Sequence, residues 1–296
     1  MKYKQRYSTA ETTAAIRAMH LLYDQPVIFN DPYALQLTSP ALRRVCLNRF
    51  FQWILRRRFI AETFRPISAQ VLSRAKYVEE KLDQAVSKGI FQYVIIGAGF
   101  DSFCLRRPGF AAHLRTYEID HPATQRIKRK RLMEIIDSSP RGVEFLAIDL
   151  EKQTLSDALS GSSFLKDERA FFSWLGTIPY LSEDAVFAVL RDLAYFAARR
   201  SEIVFDYLIP TYKMTLEDRQ ALGKGMRIIE RWGEPVKSYF DPDAFPGEVS
   251  HLGYRIFENQ SPDEVNKRYF SDRSDNLMAH SAAFIVHAEI INSSFP

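Results

Sequence analysis

The sequence predicts a doubly wound α/β fold, a mostly parallel sheet with helices on both faces, and three observations carry that prediction. From about residue 91 onward, short apolar runs rich in β-branched and aromatic residues alternate with segments of helical period. One of these runs, Tyr93-Val-Ile-Ile96, stops at Gly97 and Gly99, as a strand does when it feeds a tight ligand-binding turn. Acidic residues then stand where the following strands end, Glu118 and Asp120 first and Asp149 next. In doubly wound sheets ligands sit outside those carboxyl ends.

The bulk composition sets bounds on partners. With 296 residues, 46% of them apolar, the chain has enough material for a large core. Its 40 basic residues are nearly matched by 36 acidic ones, so a net charge of +4 does not call for nucleic acid. Cys46 and Cys104 are the two cysteines, and no Cys/His spacing resembles a metal site. No disulfide and no metal are expected. The N-terminus is polar and no stretch approaches the roughly 18 to 20 apolar residues of a membrane span, so a soluble cytoplasmic protein without a membrane partner is expected.

The first 89 residues read as an N-terminal helical layer. Ser8-Thr-Ala-Glu11 is a capping-box pattern, and Ala10, Ala14, Ala18 and Leu21 recur at helical spacing. They predict a helix over residues 9–22, with Arg17 beside its apolar stripe. After turn-rich residues 23–33, the basic and aromatic run Arg49–Arg58 reads as a core helix with a solvated basic face rather than a membrane-surface helix. Val71, Leu72, Ala75, Val78, Leu82 and Val86 predict a helix from Ser68 to Lys88, stopped by Gly89. Arg74 falls on that apolar stripe, where an unpaired charge is costly. It requires a snorkelling path, an internal ion pair or a buried anionic ligand.

Residues 90–296 read as the sheet domain. His113–Ile119 is the second strand. Pro122 opens a helix to about Ile136, whose run Arg126–Arg131 is taken as a solvated face. Val143–Ile148 and Ala170–Trp174 are the third and fourth strands. Ser182, with Glu183 and Asp184 in the first turn, caps a helix that turns Val186, Val189, Leu190, Leu193 and Ala197 to a core. Glu202–Leu208 is the fifth strand, and Gly253–Glu258 and Ala282–Ile290 close a sheet of seven. Between them, residues 209–250 carry Pro210, Pro235, Pro242 and Pro246 and read as an irregular inserted lid.

The strand ends discriminate between cofactors. An acid roughly 20 residues past a glycine loop holds a ribose diol, because a carboxylate accepts two hydroxyl hydrogen bonds. Asp120, with Glu118 beside it, meets that requirement. A dinucleotide fingerprint needs a third small residue where Ser102 stands, and Asp101 places a negative charge where pyrophosphate would lie. S-adenosylmethionine has no phosphate and carries a positive sulfonium, which carboxylates and aromatic faces suit. The loop Gly97-Ala98-Gly99, with Asp101, Glu118, Asp120 and an Asp149 reaching the adenine amine, is therefore read as an S-adenosylmethionine site.

The segments YVIIGAGFDSFCLR, TYEIDHPATQRIKRKRL, FLAIDL, FFSWLGTIPYLSEDAV and RYFSDRSDNL follow one another from residue 93 to residue 277. In this order they resemble the leucine carboxyl methyltransferase-like family of class I S-adenosylmethionine-dependent methyltransferases. That family includes protein phosphatase carboxyl methyltransferases and bacterial polyketide O-methyltransferases. The resemblance runs from about Thr9 to Asn276 and is most specific over residues 93–150. It implies a Rossmann-like fold, with the methionine portion on Gly97 and Gly99, the ribose on Asp120 and the adenine on Asp149 and Leu150. It also implies that Arg74 pairs with the cofactor's carboxylate and that Arg17 is a second basic residue from the first helix. One position departs from the pattern: Leu175 stands where many relatives have an acid, five positions before the tyrosine that is here Tyr180.

The implied chemistry is methyl transfer by in-line displacement, to which the protein contributes mainly alignment. A carboxylate acceptor is already nucleophilic and needs no general base; the resemblance implies a carboxylate, or a phenol, of a small molecule or polyketide-like metabolite as the acceptor. Tyr180, at the end of the fourth strand, is placed to orient it. Arg106, Arg107 and Arg273 are candidate contacts to an acceptor carboxylate, and His121 lies near the cofactor by position. Thr177-Ile-Pro-Tyr180 resembles the Asn-(Ile/Leu)-Pro-Tyr motif of amino methyltransferases but lacks the amide oxygen that receives an amine hydrogen. The alternatives are an amino or RNA methyltransferase and a non-catalytic S-adenosylmethionine-binding protein.

Overall fold

A computed structural model describes residues 8–48, 50, 58–111, 113–231 and 234–291. Seven strands, β1 (Gln92–Ile96), β2 (Arg115–Asp120), β3 (Val143–Ala147), β4 (Ala170–Trp174), β5 (Glu202–Leu208), β6 (Tyr254–Gln260) and β7 (Ala283–Ile290), form one sheet in the order β3-β2-β1-β4-β5-β7-β6. The pairs β1–β2, β1–β4, β2–β3 and β4–β5 are parallel. β7 runs antiparallel to both of its neighbours.

Strand alternation builds two cores. Val94 and Ile96 of β1 face one side with Phe172, Trp174 and Phe205, where the helix Glu183–Phe196 supplies Val186, Leu190 and Leu193. Tyr93 and Ile95 face the other side with Phe171 and Val204, against Leu72, Val78 and Leu82 of the helix Arg58–Ser87. A fully buried leucine or isoleucine stabilises by about 1.5–3 kcal/mol, and Leu82→Ala would cost about 2–5 kcal/mol with its cavity. The long helix ends as its glycine predicts. Gly89 has φ +84, and Ile90 N donates to Ala85 O at 3.1 Å across the reversed turn.

Several expectations are corrected. The first helix spans Ser8–Tyr23, but Glu11 does not serve a capping box: its carboxylate takes Arg131 and the Ser39 hydroxyl. The helix Pro40–Leu47, capped by Ser39, was not anticipated. Apart from Phe50 and the helical backbone of Arg58, the run of residues 49–58 lies outside the described residues. The helix Pro122–Met133 is not a wholly solvated basic face. Its 3.6-residue period turns Lys128 and Arg131 inward, to Glu118 and Glu11, and leaves Arg126, Arg129 and Lys130 exposed. Residues 209–250 are not irregular throughout, because they contain the helices Leu216–Arg231 and Phe245–His251. The prolines delimit these helices: Pro210, Pro235 and Pro242 lie outside them, and Pro246 sits in a first turn, where no N–H is needed.

Candidate active site

The strand order reverses between β1 and β4, and a cavity of ≈ 390 Å³ opens at their carboxyl ends. The helices Ser8–Tyr23 and Arg58–Ser87 wall one side, and residues 234–237 close over another.

The β1–β3 half is built largely from backbone. Gly97 and Gly99 have φ +68 and +50. A Cβ on Gly97 would collide with Thr177 Oγ1 and lie 3.1 Å from Thr177 Cβ; one on Gly99 would meet Ala10 Cβ at 3.3 Å. The small residues of the first helix thus seat it directly on the loop. Gly97 N and Ala98 N donate to Ile119 O at 2.8 and 3.0 Å, which fixes the turn against β2. Asp120 accepts from Gly99 N with one carboxylate oxygen and from His121 N, at 2.5 Å, with the other. Burial pushes its pKa up, against the pull of those two N–H groups. Asp101 Oδ1 accepts from Phe103 N at 2.7 Å and so starts the short helix Phe103–Arg106. Asp149 accepts from Glu151 N at 3.2 Å and from Lys152 Nζ at 3.0 Å, while Leu150 packs on the core. Gly97, Ala98, Gly99, Asp101, Asp120, Asp149 and Leu150 all line the cavity.

The helical wall is built from charged side chains distant in sequence. Arg17 Nε donates to Asp31 Oδ2 at 2.7 Å and its Nη2 to Phe100 O at 2.6 Å. Arg74 Nη1 donates to Asp206 Oδ2 at 2.7 Å. Of the three ways to satisfy an arginine on an apolar stripe, the internal ion pair is present, and Arg74 also lines the cavity. Tyr180, in a 3₁₀ turn after β4, and Leu175 line the same cavity. Burial, with Glu234 nearby, pushes the Tyr180 hydroxyl up to about 12, so it keeps its proton at neutral pH.

Four predicted positions lie elsewhere. Glu118 does not reach the cavity: it sits one strand repeat below Asp120, fully buried, and pairs with buried Lys128. Arg106 is engaged by Glu79 at 2.5 Å and by Ser102, Arg107 by Asp83 at 2.7 Å, and Arg273 by Asp275 at 2.6 Å. None of these three arginines lines the cavity. His121 does, and its Nδ1 accepts from Ala123 N at 3.2 Å as the cap of the following helix. Sequence reading missed Asp31 and Asp206. For Asp206 a signal existed, since it is a carboxylate inside the otherwise buried run Ile203–Leu208. Asp31, in a turn, gave none.

The cavity suits an adenosine-type ligand with an amino-acid end. It offers a glycine cradle that side chains would fill, a carboxylate anchored at the end of β2, and a guanidinium beside a tyrosine. Fold and site together define a class I methyltransferase architecture. A protein of the DUF574 family from Streptomyces avermitilis superposes with a TM-score of 0.59 over 93% of this chain and 96% of its own, at 12% identity. The sequence model of leucine carboxyl methyltransferase matches residues 10–194, and the chain belongs to that family. Over 97% of its length it is 30% identical to YktD of Bacillus subtilis, which is 99% covered and is named a "putative S-adenosyl-L-methionine-dependent methyltransferase". A Mycolicibacterium smegmatis relative with the same description is 26% identical, covering 93% of this chain and 88% of that protein.

Proposed function

We propose that this methyltransferase transfers a methyl group to an oxygen of a small molecule, a carboxylate first and a phenol second. Its cofactor is S-adenosylmethionine, which when bound supplies an electrophilic methyl group on a sulfonium. Gly97 and Gly99 would admit its methionine portion, Asp120 would hold the ribose, Asp149 and Leu150 the adenine, and Arg74 the carboxylate. Arg17, held by Asp31 and by Phe100 O in the glycine loop, adds a second cation to the cavity lining. The residues Leu222, Met226, Pro235 and Val236 give the cavity an apolar wall. The segment carrying Pro235 is tied down where Lys237 N donates to Pro179 O at 2.7 Å and Ser238 Oγ to Ile178 O at 3.0 Å.

The observation that carries the acceptor reading is Tyr180. A half-buried tyrosine hydroxyl that lines the cavity and stays protonated can donate a hydrogen bond, which orients an anionic oxygen without removing a proton from it. Thr177, beside it, has no amide oxygen to receive an amine hydrogen. A cytoplasmic setting fits the two buried free thiols, Cys46 and Cys104. The test is transfer of labelled methyl from S-adenosylmethionine to a panel of carboxylic acids and phenols. A base-labile product marks a methyl ester and a base-stable one an ether; label found only on amines or RNA overturns the proposal.

A further inference from the structure

The Arg74–Asp206 pair does more than neutralise a charge. Asp206 lies in β5 one residue beyond Phe205, whose partner across the ladder is Trp174, so it is level with Leu175 at the mouth of the sheet. Its two oxygens are shared between two structures. Oδ2 accepts from Arg74 Nη1 at 2.7 Å and from Gln70 Nε2 at 3.3 Å, both on the helix Arg58–Ser87. Oδ1 accepts from Gly176 N at 2.6 Å, on the turn that leads to Tyr180. The guanidinium in turn occupies the space where a side chain on residue 176 would be: a Cβ on Gly176, whose φ is +65, would lie 2.7 Å from Arg74 Cζ.

Exposure distinguishes the roles within this arrangement. The side chain of Asp206 is 1% exposed and that of Arg74 is 13% exposed. Both residues line the cavity, but Arg74 keeps part of its side chain accessible there while Asp206 contributes almost no exposed surface. A guanidinium has five N–H donors in a rigid plane, so fixing one edge by a carboxylate and laying the plane on a glycine aims the rest. Without that carboxylate, the long side chain would regain its rotamers and a buried charge would lose its partner.

We infer that Asp206 is a positioning residue, which holds Arg74 over Gly176 in the orientation that receives the carboxylate of an amino-acid-bearing nucleoside. It also joins that subsite to the turn carrying Tyr180. The inference rests on the cofactor reading above, and the experiment separates the two. The affinities of S-adenosylhomocysteine, which has the amino-acid end, and of 5′-methylthioadenosine, which lacks it, are measured by calorimetry. The proteins compared are wild type, Asp206→Asn, Arg74→Ala and the double variant, each with its melting temperature recorded. Asp206→Asn is expected to weaken S-adenosylhomocysteine about tenfold or more and to leave 5′-methylthioadenosine within about twofold. The double variant, which leaves no buried charge unpaired, is expected to bind no more weakly than Arg74→Ala, because Asp206 acts through Arg74. Unchanged S-adenosylhomocysteine affinity in Asp206→Asn overturns the inference. So does an equal loss for both ligands, or additive losses in the double variant. Wild-type protein that bound neither ligand would overturn the cofactor reading, and this inference with it.

Discussion

The two halves of the cavity are made by different means. On the β1–β3 side the critical contacts are local and largely backbone: Asp120 is fixed by Gly99 N and by its own neighbour His121 N, and Asp101 by Phe103 N. On the other side the contacts are between charged side chains brought together from Arg17 and Asp31, and from Arg74 and Asp206. The first half depends on conformations only glycine adopts without strain. The second depends on charges that are each costly to bury unless the partner arrives. Disturbing the one should alter ligand geometry, and disturbing the other should first alter stability.

The largest expected effect is therefore at Asp31. Its carboxylate is fully enclosed and faces Arg17 at 2.7 Å and Arg106 at 3.8 Å. Burial alone would raise its pKa, but the two guanidinium groups and the Ser102 hydroxyl hold it below the usual aspartate value. Asp31→Ala takes from buried Arg17 its carboxylate, and from Arg106 the farther of two, and is expected to cost about 3–5 kcal/mol in denaturant unfolding at neutral pH. The sign with pH follows from the depressed pKa. The contribution is complete above the unfolded value near 4 and fades as pH falls through the lower folded value, so the gap between wild type and Asp31→Asn should narrow on acidification. A gap that widened there would mean the pair does not stabilise the fold.

Gly97→Ala tests the other half. The positive φ and the collision with Thr177 together should cost about 2–4 kcal/mol, either as stability or as lost cofactor affinity. Thr177→Ala in the same chain should recover part of it, since the colliding Oγ1 is then gone. No recovery would place the cost in backbone strain alone. Below this comes Asp120→Asn, expected to weaken S-adenosylhomocysteine and 5′-methylthioadenosine alike by about tenfold to a hundredfold, the worth of a charged hydrogen bond to the ribose. A loss confined to one ligand would move Asp120 off the ribose.

The same contrast explains what could be read from the sequence. All seven strands were legible to within a few residues: β1, β4 and β5 are largely apolar runs buried along their whole length, and the ends of the first three strands are marked by Gly97, Asp120 and Asp149. Arg74 was legible as an anomaly of period; Asp206 carried a comparable signal, a carboxylate in a strand buried along its whole length, but was not singled out. What joined them was not legible, since residue 74 and residue 206 meet only through the packing of a helix on the sheet. Glu118 shows the converse. Its spacing from the glycine loop fitted a ligand contact, but strand position alone does not say which of two acids on one face reaches the end of the sheet, and Lys128 takes the lower one. Leu155–Ser160, capped by Thr154, and Phe245–His251 were hidden because such short runs do not set their period apart from a loop, and the 16-residue helix Leu216–Arg231 because Gly223 and Gly225 lower its helical propensity and prolines surround it.

The smallest expected effect lies where the two halves touch. Lys237, from the segment over the cavity, pairs with Glu151 beyond Asp149 and Leu150, and the two side chains are 41% and 39% exposed. An ion pair that wet is worth little, so Lys237→Ala should change stability by less than about 0.5 kcal/mol, and less again in high salt. The backbone hydrogen bond from Lys237 N to Pro179 O survives the substitution, so the segment keeps its place over the cavity. A loss of more than about 2 kcal/mol by calorimetry would show that this exposed contact, and not the buried packing of residues 238–240, clamps the segment down, and the division between a backbone half and a charge-paired half would then have to include a third, closing element.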